Sequence, residues 1–367
     1  MNKPTIWRCD LEPQHTRFAD AVQVAIQRVL PTGRYILASE VEAFENAFAA
    51  YCGTSFAVGV ANATDALTLS LMALGVGPGD EVITTPYTAI PTVSAIADSG
   101  ATPVFVDICE DTFLMDISKV SAAINSRTRA IMPVHIFGNV LDVESLRNVT
   151  GSLPIIEDAS QAHGSSIRGQ KAGSFGETGV FSFYPTKNLG AYGDGGIIVT
   201  NDQTLAERLR KMRMYGMVDK DHIAYHGVNS RLDELQAAIL RAKLPALDEM
   251  NQQRRDIAAH YEKELAANSF TFQRIPDDVV SNYHVFVARY HGDRKALICH
   301  LDALGIQTNI YYPLPLHLQQ ATQNLGYKPG SLPVAEHLCD EAIALTMYPE
   351  LESGVQDMVI RSINDLA

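Results

Sequence analysis

Two segments of the 367-residue chain hold the side chains best suited to joint chemistry. One is Phe181-Ser182-Phe183-Tyr184-Pro185-Thr186-Lys187-Asn188-Leu189-Gly190; the other, upstream, is Ile155-Ile156-Glu157-Asp158-Ala159-Ser160-Gln161-Ala162-His163-Gly164. The apolar pair after Pro154 reads as a buried strand delivering acidic side chains at its carboxyl end. In α/β sheets that end is where ligands bind. A lysine amine can form an imine with an aldehyde, and a carboxylate held against a pyridine nitrogen keeps the ring protonated and able to accept electrons. Pyridoxal 5'-phosphate chemistry requires that pairing. Asp158 is the candidate partner of the ring nitrogen, while Glu157 alternates to the opposite face and is expected to contact other protein groups. Lys187 would serve as both anchor and proton shuttle.

Most lysines are solvated surface groups, and Lys187 by itself reads that way. Its setting argues otherwise. It lies between an apolar strand, Gly179 to Phe183, and the glycine-rich turn Gly190-Ala191-Tyr192-Gly193-Asp194-Gly195-Gly196, where backbone can approach closely. The Ser182 hydroxyl can donate to a phosphate. Further donors are expected where Asn62-Ala63-Thr64-Asp65-Ala66-Leu67 opens a helix after the strand-like Phe56 to Val60, because the first turn of a helix has unpaired N–H groups and a dipole favouring anions. The same residues serve equally well as an ordinary N-cap.

These residues resemble the sugar aminotransferase family called DegT/DnrJ/EryC1/StrS, pyridoxal-phosphate enzymes with the aspartate aminotransferase fold (fold type I). The likeness runs over nearly the whole chain: Thr32-Gly33-Arg34-Tyr35-Ile36-Leu37, the Asn62 segment, Pro133-Val134-His135-Ile136-Phe137-Gly138, the Asp158 and Lys187 segments, Asn229-Ser230-Arg231-Leu232-Asp233-Glu234 and Tyr311-Tyr312-Pro313-Leu314-Pro315-Leu316-His317. So many separated matches in one order make a specific signal. The resemblance implies Lys187 as Schiff-base lysine, Asp158 at the pyridine nitrogen, Gln161 near the ring hydroxyl, and Ser182 with the backbone of Ala63 and Thr64 at the phosphate. It also implies an asparagine reaching in from a second subunit, here Asn229, and hence a homodimer with shared sites. Two positions depart from the family pattern. Ala63 stands where glycine is common, and Ala89 where an aromatic ring commonly stacks on the cofactor; Tyr87 is assigned the stacking role instead. Tyr184 and His317 are candidate substrate contacts, and each is equally explained by packing or by a structural hydrogen bond.

The activity implied is transfer of an amino group from glutamate or glutamine to a keto group, at C3 or C4, of a nucleotide-diphosphate-linked keto-deoxy sugar. A dehydratase subgroup of the family carries histidine in place of the lysine, which Lys187 argues against. A non-catalytic regulatory relative is the remaining alternative, since fold does not guarantee activity.

Composition agrees with a large globular enzyme: 46% hydrophobic and 19% charged residues support a core big enough for two domains. A formal net charge of -13 opposes nonspecific nucleic-acid binding. No apolar run reaches the roughly 20 residues of a membrane span, and the start lacks a signal-peptide core, so a cytoplasmic location is expected. The five cysteines have no metal-type spacing, and His222 with His226 lacks a third ligand nearby; no metal is expected. Arg34, Arg213 and Arg231 are as fit for a diphosphate as for structural ion pairs.

Positioning these residues requires a sheet. Amphipathic helical patterns flank Pro31-Thr32-Gly33; strands and helices then alternate through Glu81 to Thr85, Pro103 to Val106, Ala130 to Val134 and Pro154 to Glu157. Alternation of this kind predicts an α/β fold, a mainly parallel sheet covered by helices. Ile197 to Thr200 reads as a further strand and Leu232 to about Leu265 as one long or broken helix. Residues 1–249 are expected to form the large cofactor-binding domain and 250–367 a smaller C-terminal α/β domain, with a strand over Tyr283 to Tyr290.

Overall fold

The computed structural model describes residues 5–366. Its strands, in chain order, are β1 (Phe56–Val60), β2 (Glu81–Thr84), β3 (Thr102–Phe105), β4 (Thr128–Ile131), β5 (Ile156–Asp158), β6 (Ser166–Ile167), β7 (Gln170–Lys171), β8 (Thr178–Ser182), β9 (Gly196–Thr200), β10 (Phe270–Phe272), β11 (Val279–Val280), β12 (Phe286–Tyr290) and β13 (Ala342–Leu345). Two ladders, β1-β9-β8-β5 and β3-β2-β4, are joined by parallel bridges from Ile131 to Ile155 and from Val134 to Asp158. They make one seven-stranded layer, and within it only β9 runs against its neighbours.

The strand residues sort to two faces with period two, as a sheet covered on both sides requires. Phe181, Phe183, Ile197 and Val199 pack with Phe18, Phe44 and Phe48 from the helices Glu12–Val29 and Ser39–Cys52. Val180 and Ile198 face the other way, onto Leu67 and Leu71 of the helix Ala63–Ala73 and Leu205 and Leu209 of the helix Gln203–Met212. Burying a side chain of this size is worth about 1.5–3 kcal/mol, so the two faces hold β8 and β9 rigidly in the middle of the layer. The strands β10, β12 and β13 form a separate antiparallel sheet packed on helices Leu247–Glu264, Arg294–Ala303 and Ser353–Asn364.

Pro245 explains why the helical stretch after Leu232 is broken. A short 3-10 turn at Leu244–Ala246 separates helices Glu234–Lys243 and Leu247–Glu264, because proline removes an N–H donor and crowds the preceding turn. The strand expected from Tyr283 starts later, at Phe286; Tyr283 has φ 42°, outside the extended region.

Candidate active site

The carboxyl ends of β5 and β8, the Lys187 turn and the amino end of the helix Ala63–Ala73 enclose a cavity of about 260 Å³. Asp158, the last residue of β5, is 5% exposed. Its Oδ2 accepts from the Thr92 hydroxyl at 2.8 Å and its Oδ1 from the Ser160 N–H at 3.2 Å. Because Thr92 spends its proton on Asp158, the Thr88 hydroxyl, 3.0 Å away, must be the donor in the Thr88–Thr92 contact. Glu157 points to the other side of the sheet. There it is fully buried, accepting from the N–H groups of Gly173, Phe175 and Gly176 and from His135 Nε2.

Lys187 faces Asp158 across this cavity. Burial disfavours its ammonium, the Asp158 charge favours it and Arg8 disfavours it further, and the balance lowers the pKa from 10.5 to about 8. His284 Nε2 lies 3.5 Å from Nζ. At the opposite end, the Asn62 side chain caps Asp65 N–H at 2.9 Å, which leaves the N–H groups of Ala63 and Thr64 available to a ligand. Ala63 is compatible with this cap because no positive φ falls there. Gly196 permits the close contact of β9 with the same turn: a side chain at that position would run into the backbone of Asn62 and Ala63. The Ser182 hydroxyl completes this end of the cavity and accepts from Tyr184 N–H at 3.3 Å.

One cavity thus holds a depressed lysine amine, a buried carboxylate and a helix amino terminus. Comparison with known proteins agrees with that arrangement: the sequence model of the DegT/DnrJ/EryC1/StrS aminotransferase family matches residues 18–364. The chain belongs to this family.

Among its relatives, a dTDP-3-amino-3,4,6-trideoxy-alpha-D-glucose transaminase of Streptomyces venezuelae is 43% identical over 99% of this chain and 97% of its own length. A protein named pleiotropic regulatory protein, from Geobacillus stearothermophilus, is also 43% identical, over 99% of this chain and 98% of its own. The crystal structure of S. venezuelae DesV in complex with a ketimine intermediate superposes with a TM-score of 0.96, at 43% identity, covering 99% of this chain and 98% of that one. Aminotransferases of the DegT/DnrJ/EryC1/StrS family use pyridoxal phosphate, and the fold here is the one their structures share.

The residues present fit that cofactor. An anion has helix N–H groups and Ser182, an aldehyde has the Lys187 amine, and a ring nitrogen has the Asp158 carboxylate, all on one lining. Gln161 and Tyr184 belong to the same lining. Gln161 is held by two bonds, accepting from Phe137 N–H at 2.9 Å and donating to the Tyr312 hydroxyl at 3.0 Å.

Three of the residues named from the sequence lie elsewhere. Tyr87 is fully buried, its hydroxyl bonded to the Tyr311 carbonyl and its ring edge-on to Phe113, Phe137 and Tyr312. It does not line the cavity, whereas Thr88 and Ala89 do. His317 is buried between Phe105 and Tyr327, with Nε2 3.0 Å from Glu336. Asn229 is exposed, bridged to Met214, and outside the lining formed by its own chain; the neighbouring Ser230 ties that segment to Asp65 and to Ala61 N–H. Of the arginines, Arg213 is buried against Glu45 and the Gly59 carbonyl, a structural pairing. Thr92 is a supporting group that the sequence did not flag. A threonine inside the helix Ile90–Asp98 carries no local mark of a partner on another strand.

Proposed function

We propose that this chain moves an amino group from glutamate or glutamine to the C3 or C4 keto group of a nucleotide-diphosphate keto-deoxy sugar. The observation that carries the reading is the Lys187 amine facing Asp158 in a cavity whose far end is a helix amino terminus. Pyridoxal phosphate, when bound, supplies an electron sink for the pair released as the substrate carbon loses its proton. Asp158 would meet the ring nitrogen, and the Thr92 hydroxyl with Ser160 N–H holds that carboxylate in place. Lys187 Nζ would take the proton from the amine-bearing substrate carbon and deliver it to the cofactor's aldehyde carbon, on the other side of the nitrogen that joins them. With a pKa of about 8, roughly a tenth to a fifth of the amine is neutral near physiological pH, and that fraction can act as the base.

The cavity, at about 260 Å³, is below the usual range of roughly 300–1,000 Å³ for drug-sized ligands. It suits a cofactor and the reacting end of a sugar, so the nucleotide belongs at the mouth, beside the exposed Tyr184 and Ile90. Asn229 in turn is carried by a segment that exposes Tyr215, Val218, Ile223, Tyr225 and Val228. Apolar exposure of this density marks a surface covered by a partner, and a second copy of the chain would bring Asn229 to the phosphate end of the first. The DegT/DnrJ/EryC1/StrS relatives named as sugar transaminases favour catalysis; the regulatory name of another relative makes binding without turnover the second reading.

The test is a half-reaction. Glutamate or glutamine added to the cofactor-loaded protein is expected to convert its absorbance to that of the amine form, and a keto-sugar nucleotide from a panel varying C3 and C4 is expected to reverse it. A stable cofactor spectrum with every donor would leave the regulatory reading in its place.

A further inference from the structure

We propose that His284 is the positioning residue for the Lys187 amine: a neutral imidazole whose acceptor nitrogen is aimed at Nζ by a chain of amides anchored on two backbone carbonyls. This deepens the reading of Lys187 as the reacting amine and rests on it. The anchor points are the carbonyls of His163 and Asn282, which can only accept hydrogen bonds. Asn251 donates through Nδ2 to the His163 carbonyl at 2.8 Å, so its Oδ1 is the atom that accepts from Asn188 Nδ2, also at 2.8 Å. Asn188 Nδ2 donates a second bond to the Asn282 carbonyl at 3.0 Å. Both amides are therefore fixed in orientation, and Asn188 must present Oδ1 to His284 Nδ1, 3.1 Å away.

An amide oxygen cannot donate. The proton of the ring is consequently on Nδ1, and in the neutral ring Nε2 carries the lone pair, 3.5 Å from Lys187 Nζ. The groups around the ring keep it neutral. Burial acts first, and Lys187, Arg254, Arg8 and His163 all disfavour a second positive charge. The backbone is pinned as well: Arg254 donates to the His284 carbonyl at 3.0 Å, and Asn282 Oδ1 accepts from His284 N–H at 3.1 Å. Gly164, at φ +80°, leaves the space that Asn251 occupies, since a side chain there would collide with Asn251 Nδ2.

An N–H of Lys187 directed at Nε2 turns the amine lone pair to the cavity, where it can meet an aldehyde or a substrate proton. A ring protonated on Nε2 would instead oppose donor to donor and turn the amine away.

The first test needs no variant. Nitrogen-15 NMR of the full-length protein without cofactor, its histidine rings labelled, is expected to show His284 as the neutral Nδ1–H tautomer from about pH 6 to about pH 8. An Nε2–H tautomer or an imidazolium would overturn the proposal. The second test follows condensation of pyridoxal phosphate with Lys187 against pH. His284→Leu removes the acceptor from the ammonium and is expected to move the midpoint down by about one pH unit, while His284→Gln, which retains an acceptor, stays near the parent. An unmoved midpoint in His284→Leu would also overturn it. Absence of any adduct at Lys187 in the parent protein defeats the prior reading of Lys187, a failure separate from either of these.

Discussion

At the scale of single residues, the chemistry depends on an amine whose charge is set by its surroundings and on the carboxylate that it faces. Burial lowers the Lys187 pKa to about 8, so condensation with pyridoxal phosphate is expected to have a pH midpoint near 8 and not near 10.5, measurable from the absorbance of the adduct. The sign for stability follows. A lysine depressed in the folded state binds fewer protons there than when unfolded, so the cofactor-free protein gains stability as pH rises from about 8 to about 10.5. Lys243, buried with Nζ on Gln14 and the Gly190 carbonyl, is lowered to about 8 as well and acts in the same window; Lys187→Ala should flatten the slope of Tm against pH without abolishing it. At Asp158, replacement by Asn preserves the shape but removes the charge, and the amino-donor half-reaction is expected to slow by about 10²-fold or more. Thr92→Val, which leaves the carboxylate short of a donor, should cost about tenfold. Stopped-flow absorbance distinguishes these magnitudes. Lys187, Asp158 and Ser182 were singled out by residue type and order, Ala63 and Thr64 by a helix start that serves equally as an N-cap, Gln161 by the family resemblance and Tyr184 by its nearness to Lys187, and all seven lie on one lining. Tyr87 and His317 do not, because proximity to a motif does not encode which way a ring points; each finds an aromatic cluster instead.

At the scale of elements, the phosphate end depends on how closely β9 approaches the helix Ala63–Ala73. Backbone meets backbone at Gly196, and neither side can yield as a flexible side chain would. Gly196→Val is therefore expected to displace the first helical turn and weaken pyridoxal phosphate binding by about tenfold or more, read by titrating the cofactor against protein fluorescence. Binding equal to the parent's would show that the helix terminus does not hold the phosphate. The parallel strands could be read from their apolar runs alternating with helices. The direction of β9 could not, since a hydrophobic pattern is the same read either way along a strand. The strands β10 and β13 escaped for a related reason: Ala342-Ile343-Ala344-Leu345 is a four-residue apolar run that fits a buried helix as well as a strand, and only its pairing with β12 decides.

At the scale of the whole molecule, no helix among the described residues is long and apolar enough to cross a membrane, and no cluster of three or more metal-ligating side chains occurs among them. We take the division between the larger and smaller units to run through the helix Leu247–Glu264, and the shared-site homodimer to be the working form. Mixing makes the dimer testable. Lys187→Ala and Asn229→Ala chains, each weak alone, would form mixed dimers in which one site combines the intact lysine of one chain with the intact asparagine of the other. Random association should restore up to about a quarter of the parent site count, whereas no recovery in confirmed mixed dimers would show that Asn229 does not serve the partner's site. The account as a whole stands on one covalent bond. Borohydride reduction of the protein loaded with pyridoxal phosphate, followed by peptide mass mapping, is predicted to leave the reduced cofactor on Lys187; a reduced adduct on any other lysine, or none at all, would contradict it.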